Sequence, residues 1–510
     1  MIIRLILGDQ LNENHSWFES VDAKVCYVMM EIRQETDYVI HHIQKVVAFF
    51  SAMRQFKDTL TSLGHNVHYI ELDDPKNTQQ LSANLNKLLV QYKATGFDYQ
   101  MPDEYRVDQI LIFFSSQLNI PVKLYDSEHF MTTRETLKDF FEGKKQLVME
   151  YFYRKMRRDF HILMDGENPL GGKWNFDKNN RNKWKGDPKI PIAFSFEKES
   201  IKSIASLLKK EGVKTLGTID TEVFLFPSSR NEAFEQLNYF NKQLLVYFGT
   251  YQDAMHTEEI NLFHSRLSFA LNTKMISPIE VVESVVSYYK KNKEVIELSQ
   301  VEGFVRQIIG WREYMRGIYW REMPKYKEKN TLQNSNALPE FYWTAKTKMN
   351  CLHQSIQNSL DNGYAHHIQR LMITGNFALL AQVHPDEVDA WYLGIYSDAV
   401  EWVQLPNTRG MSQWADGGIV ATKPYVSAAA YINKMSNYCV DCNYNNKKRV
   451  GEDACPFNSL YWNFLDDKKE YFAKNNRMAM MLNLLKKMPQ SELTKLKERA
   501  AAIILNPDVF

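Results

Sequence analysis

Apolar positions follow two rhythms along this chain. Up to about residue 125, short β-rich runs alternate with longer segments of helical periodicity. The runs are Ile2–Leu7, Val25–Met30, Val67–Leu72 and Val122–Tyr125, and the helical segments include Tyr38–Leu63 and Gln79–Thr95. Alternation of this kind predicts a parallel sheet with helices on both faces. From about residue 230 the pattern is helical, as in Glu232–Tyr247, Glu280–Asn292, Val301–Glu322 and His366–Gln382, and Glu492–Phe510 closes the chain in the same rhythm. Between the two lies a stretch rich in Gly, Asn, Lys and Pro. The expected organisation is an α/β domain over 1–130 with a Rossmann-like parallel sheet, a connector over 131–229, and a large all-α domain over 230–510.

Ligands of such sheets sit beyond the carboxyl ends of strands. Gly8, Asp9 and Gln10 occupy that place after the first run, and Glu35 follows the second. Neither GxGxxG nor GxxxxGK[ST] occurs, so an ordinary dinucleotide fingerprint and a P-loop are both excluded. In the connector, Lys173, Lys178, Arg181, Lys183, Lys185 and Lys189 interleave with Trp174 and Trp184. That run is either a solvated charged loop or a nucleic-acid contact.

Composition narrows the class. The 510 residues allow two or three domains, and a formal net charge of +1 gives no global attraction to nucleic acid, so any such binding rests on local patches. No apolar run is long enough to span a membrane, and the short opening run lacks the features of a signal peptide. Five cysteines make no secreted framework, so a reducing cytoplasm is expected. Cys439 and Cys442 form a Cys-Val-Asp-Cys pair, Cys455 precedes Pro456, and Cys351 lies far upstream. Four thiolates close the coordination of a structural zinc or an iron–sulfur cluster, and chemistry alone leaves both open. Cys26, in an apolar run, reads as core.

Several helical segments carry a family likeness. Tyr251-Gln-Asp-Ala-Met precedes His264-Ser-Arg-Leu-Ser-Phe-Ala-Leu-Asn; Arg306-Gln-Ile-Ile-Gly-Trp-Arg-Glu-Tyr-Met-Arg follows; then Gly363-Tyr-Ala-His-His-Ile-Gln-Arg leads to Trp391 and Asp398. This order resembles the flavin-binding core of the photolyase/cryptochrome family. With the four cysteines and the His366–His367 pair, the chain resembles the iron–sulfur bacterial branch, the prokaryotic (6-4) photolyases and their cryptochrome relatives.

The resemblance implies FAD, a [4Fe–4S] cluster on Cys351, Cys439, Cys442 and Cys455, and a 6,7-dimethyl-8-ribityllumazine antenna near Gly8, Asp9, Gln10 and Glu35. Ser265, Leu267 and Ser268 match its phosphate-binding turn, and Tyr251 matches a position near the cofactor. Arg306, Trp311 and Arg312 belong to a helix placed against the flavin; Trp311 is five and Arg312 six residues from Arg306, so the three share no single α-helical stripe. Arg370 and Asp398 resemble the ion pair beside the flavin ring. Asn407 corresponds to the residue facing flavin N5, in a loop that departs from the familiar Asn-Asn-Gly-Gly. His366 and His367 are the implied catalytic pair, with His367 the proton donor, and Tyr425 and Tyr431 match aromatic positions at the lesion pocket. Trp391, Tyr392 and Trp343 resemble the branch's electron relay. The expected activity is light-driven repair of (6-4) photoproducts in UV-damaged DNA by a monomer. A non-repairing photoreceptor of the same build is the first alternative, and a zinc-stabilised nucleic-acid-binding protein without flavin is the second.

Overall fold

The computed structural model describes residues 1–144, 146–196 and 199–510. Its sheet is β1 (Ile2–Leu5), β2 (Val25–Met30), β3 (Val67–Ile70), β4 (Gly96–Gln100) and β5 (Val122–Tyr125), all parallel in the order β3-β2-β1-β4-β5. Ile3 pairs with Cys26 on one side and Phe97 on the other. Every residue of β2 is buried, as a strand covered on both faces requires. Cys26 is part of that core. The helices Ile43–Ser62, Leu81–Gln91 and Tyr105–Ser116 link the strands. β4 escaped the sequence pattern: Gly-Phe-Asp-Tyr-Gln offers no β-branched residue and opens on Gly. It is nonetheless internal, and its Asp98 accepts from Arg4 Nε at 3.2 Å.

The connector is folded. It carries the helices Arg134–Phe141, Met149–Asp159 and Glu199–Lys210. Gly317 and Gly310 of the helical region let two of these come close, because an added Cβ would meet Phe141 at 2.3 Å or Met149 at 3.1 Å. From Arg230 onward the structure is helical, and the long segments expected from the pattern are interrupted by wider turns. The Val301–Glu322 run divides into Leu298–Val305, a π-helical stretch Arg306–Arg312, and Glu313–Glu322. Other π-helical stretches are Phe240–Leu244, Gln369–Gly375 and Pro406–Ser412. No helix among the described residues is long and apolar enough to cross a membrane.

His42 ties the sheet region to the helical region. Its Nδ1 accepts from Gln44 N at 3.1 Å, capping the helix Ile43–Ser62, and its other ring nitrogen donates to the Leu360 carbonyl at 2.8 Å. Gly217 lies against the ring; a Cβ there would stand 1.9 Å from Nε2. Burial pulls the His42 pKa down to about 4. The unfolded chain therefore takes up this proton first as pH falls. The stabilisation is complete above about pH 6.5 and is lost on descending toward pH 4. Each tenfold difference in proton affinity between the folded and unfolded chain is worth about 1.4 kcal/mol. Denaturant titrations from pH 7 to 4 are expected to show this loss, and His42→Asn, which keeps a capping oxygen, is expected to flatten part of it.

Candidate active site

A cavity of about 810 Å³ opens in the helical region. Among the described residues, the π-helical stretches Arg306–Arg312, Gln369–Gly375 and Pro406–Ser412 all contribute to its wall. Such turns accumulate at functional sites because the i→i+5 repeat re-aims side chains. The repeat also explains a departure from expectation. Arg306 and Trp311, off-stripe in an α-helix, both reach this cavity.

The cavity collects Ser265, Leu267, Ser268, Arg306, Trp311, His367, Arg370, Tyr392, Asp398, Asn407, Tyr425 and Tyr431. Tyr251 does not line it; its ring stacks on Phe263 at 5.4 Å and its hydroxyl reaches the Asp187 carbonyl at 3.4 Å. Arg370 grips Asp398 with both terminal nitrogens, at 3.0 and 3.1 Å. Burial works against the Arg370 cation, and the Asp398 carboxylate more than offsets it, so its pKa stays above the ordinary value. Ser268 donates to the same carboxylate at 2.6 Å, and Asn272 to the Asp398 carbonyl at 2.7 Å. Asn407 is turned back on its own helix, donating to the Val403 carbonyl at 2.8 Å.

The histidine pair divides. His367 presents its ring to the open cavity, while the surrounding protein and the Arg370 cation pull its pKa down to about 4. His366 is 1% exposed and turns inward, where it stacks on His264 with centroids 4.7 Å apart and planes 9° from parallel. Neither ring nitrogen of His366 has a protein partner. Tyr392, at the wall, donates to the Arg370 carbonyl at 2.6 Å and stands 5.2 Å from Trp391, which is 5.0 Å from Tyr342. Trp343, the next residue in the chain, is 42% exposed.

Sequence reasoning missed Arg266 and His264 of this wall, and it placed Arg312 only on the helix against the flavin, without its surroundings. Arg266 is buried with no carboxylate partner among the described residues; it donates to the carbonyls of Phe194 and Leu225 and leaves Nη1 unpaired there. Arg312 lies between the rings of Phe130 and Trp402, at 4.9 and 4.8 Å, with Nε and Nη1 unpaired. Burial lowers the pKa of both arginines to about 10. His264 Nε2 is likewise unpaired. Buried donors without partners are costly, and a cofactor carrying phosphates and a polar ring would satisfy them. The signal available was Arg266 itself, the variable position inside the Ser265–Ser268 turn.

A second cavity, of about 160 Å³, lies beyond the carboxyl ends of the strands. Gly8, Asp9 and Glu35 line it, together with Lys45, His41, Asp103 and Glu104. Its apolar wall includes Met30, Ile32, Phe50 and Met53. Gln10 stands outside it, accepting from Leu7 N at 3.0 Å and donating to the Gln100 carbonyl at 3.3 Å. His41 Nδ1 has no protein partner. An apolar slot with a polar end and an orphaned ring nitrogen suits a flat heteroaromatic ligand.

Cys351, Cys439, Cys442 and Cys455 line one small cavity of about 10 Å³, with Tyr438 and Phe457 beside them. Burial pushes the Cys351 thiol well above the usual range, and Cys455 up to about 12, with the neighbouring sulfurs adding to both. Among the described residues no group of three or more His, Cys, Asp or Glu is arranged to hold a metal ion.

The comparisons with known proteins agree with this architecture. Residues 4–224 match the family described as deoxyribodipyrimidine photo-lyase-related protein. A protein named (6-4) photolyase from Agrobacterium fabrum is 41% identical over 508 residues, which cover 99% of each chain. A bacterial class III photolyase from Agrobacterium tumefaciens superposes with a TM-score of 0.56 at 13% identity, covering 99% of this chain and 97% of its own. A Synechocystis cryptochrome gives a TM-score of 0.56 at 11% identity, over 98% of this chain and 93% of its own. The two structures share the fold, that of photolyases and cryptochromes. The sequence goes further: the chain belongs to the photolyase/cryptochrome family, within the branch that holds the bacterial (6-4) photolyases. Membership implies FAD as cofactor.

Proposed function

We propose that this protein is a light-driven DNA repair enzyme acting on (6-4) pyrimidine photoproducts. The observation that carries the reading is full-length identity of 41% to a (6-4) photolyase, joined to a histidine that faces the large cavity. When bound there, photoexcited reduced FAD would supply an electron to the lesion. Everything else falls to the chain. Ser265 and Arg266 offer donors for the pyrophosphate, while Ser268 holds the Asp398 carboxylate and the Arg370–Asp398 pair sets a fixed cation beside the ring. His367 is assigned the proton donation, needed because repair moves a hydroxyl between pyrimidines as well as an electron; the protein alone holds its ring neutral, so it serves as donor once the negative charge of flavin and lesion draws a proton onto it. Tyr425 and Tyr431 border the space for a flipped-out dinucleotide. Tyr392, Trp391 and Tyr342 form an aromatic path inward from the wall, and Trp343, the next residue in the chain, is the exposed candidate for its outer end.

The second cavity belongs to the antenna, 6,7-dimethyl-8-ribityllumazine. The four cysteines bind a [4Fe–4S] cluster. The reading rests on the family likeness and on four thiols that line one small cavity, a ligand set that suits such a cluster. The protein works as a monomer in a reducing cytoplasm.

Illuminating the reduced protein with DNA carrying a (6-4) photoproduct is expected to restore the intact pyrimidines. Absence of repair alongside light-dependent conformational change would favour a photoreceptor, and a colourless preparation would favour zinc. DNA contact is assigned to the connector. Lys173, Lys178, Lys185 and Lys189 are exposed, whereas Trp184 is buried against His256 and Trp174 packs over Arg158 at 4.7 Å. The tryptophans thus hold the loop, and the lysines meet phosphate. Neutralising each of those lysines is expected to reduce the slope of log K against log[salt] by about 0.9. An unchanged slope in a binding titration between about 50 and 200 mM salt would remove the loop from the interface.

A further inference from the structure

One short stretch of chain runs from the large cavity to the second. Ser268, Leu271 and Asn272 of the helix Ser268–Asn272 line the large cavity, and two residues later the same chain delivers Lys274 to the sheet region. Lys274 is 1% exposed. Its backbone takes a left-handed turn, φ 66°, and its ammonium group ends beside two carboxylates of the second cavity. Nζ donates to Asp9 Oδ2 at 2.9 Å and to the Asp9 carbonyl at 2.7 Å, and lies 2.7 Å from Asp103 Oδ2. Arg316 stands 3.7 Å from the other oxygen of Asp103. Asp9 follows β1 and Asp103 follows β4, so they come from adjacent strands on either side of the point where strand order reverses. Both line the second cavity, while Lys274 does not.

We propose that Lys274 is a positioning residue for the second cavity, holding Asp9 and Asp103 side by side as ionised acceptors for the N–H and O–H donors of a flat heteroaromatic ligand. Two buried carboxylates this close repel one another, and one would take up a proton without a cation between them. Burial and Asp103 both raise the Asp9 pKa, and Lys274 opposes them. A protonated Asp9 would turn from acceptor to donor and leave a ligand N–H unmatched, which a buried polar site tolerates poorly. The helical region thereby completes a binding site whose other walls belong to the sheet. This inference rests on the antenna reading of that cavity.

The test uses the purified full chain with its flavin, and 6,7-dimethyl-8-ribityllumazine as the probe, followed by fluorescence titration and by the lumazine-to-flavin ratio. Lys274→Gln is expected to weaken lumazine binding tenfold or more with flavin content unchanged, and Lys274→Arg to restore most of the loss. A merely space-filling role would show no such rescue by charge. Should Lys274→Gln fail to fold, the double variant Lys274→Gln, Asp103→Asn removes one charge of each sign and still leaves Asp9 without its cation. It is expected to bind lumazine at least tenfold more weakly than Asp103→Asn alone, which isolates Lys274 from the lost acceptor. Wild-type affinity in Lys274→Gln, or equal affinity in the double variant and Asp103→Asn, overturns the role of Lys274 alone. A wild-type protein that binds no lumazine overturns the antenna reading and the inference with it.

Discussion

Replacing His367 with asparagine is expected to lower the rate of (6-4) photoproduct repair a hundredfold or more and to leave the flavin bound. A positioned acid–base group contributes about 10²- to 10⁴-fold. Of the adjacent histidines only this one presents its ring to the cavity. His366 stands just before the helical turn that His367 opens, and its ring leaves in a different direction. His366 packs on His264. Asparagine preserves size and polarity and removes the titrating proton. Initial repair rates of fully reduced protein under blue light give the measurement, with flavin absorbance as the control. Repair within threefold of wild type would move proton donation to another group. His366→Asn should act differently: it disturbs a stacked pair in the wall, so flavin retention falls together with rate.

Replacing Cys351 with alanine is expected to be the most damaging single change to stability. A bound metal centre contributes roughly 10 kcal/mol or more to a fold that depends on it, far above the effect of deleting one buried sulfur. Cys351 sits on the helix Asn350–Asn362, and the other three thiols lie about ninety to a hundred residues later in the chain. A cluster here would tie those segments together. The consequences reach the cavity. Asn350 donates to the Tyr438 carbonyl at 2.9 Å, Tyr438 OH accepts from Gln369 at 3.1 Å, and Gln369 accepts from His366 N at 3.3 Å. Iron content, soluble yield and melting temperature are expected to fall together, and DNA repair to fall with them. An iron-free wild type of undiminished stability would show four thiols that are simply core.

The sequence made the sheet and the large helical region legible because buried strands and amphipathic helices each leave a period. β4 stayed hidden because an internal strand flanked by pairing partners tolerates a buried Asp98 once Arg4 answers it, while Gln10 is spent on the Gln100 backbone carbonyl and not on its side chain. The connector's basic run was legible as charge, but not the division of labour between pinning tryptophans and exposed lysines, which depends on what each ring packs against. At the site, the Ser265–Ser268 turn, Arg370, Asp398 and His367 stood out through family motifs. Tyr251 and Gln10 matched equally well by position yet lie outside the cavities they were assigned to, because a motif fixes where a residue falls in the chain and not which way its side chain points. Arg266 and His264 were invisible for the converse reason: their significance is the partner they lack, and no residue pattern records a missing partner.

The widened helical turns around the large cavity have a consequence for how this protein can change. A π turn is an α-helix with one residue too many. Deleting a residue anywhere in Arg306–Arg312, Gln369–Gly375 or Pro406–Ser412 would let the helix relax to its narrower repeat and swing every downstream side chain by about 100°. Trp311, Arg370 or Met411 would then leave the cavity without any of them having been mutated. The shape of this pocket is encoded in chain length as much as in residue identity, so lineages that keep it should accept substitutions along these stretches far more readily than insertions or deletions.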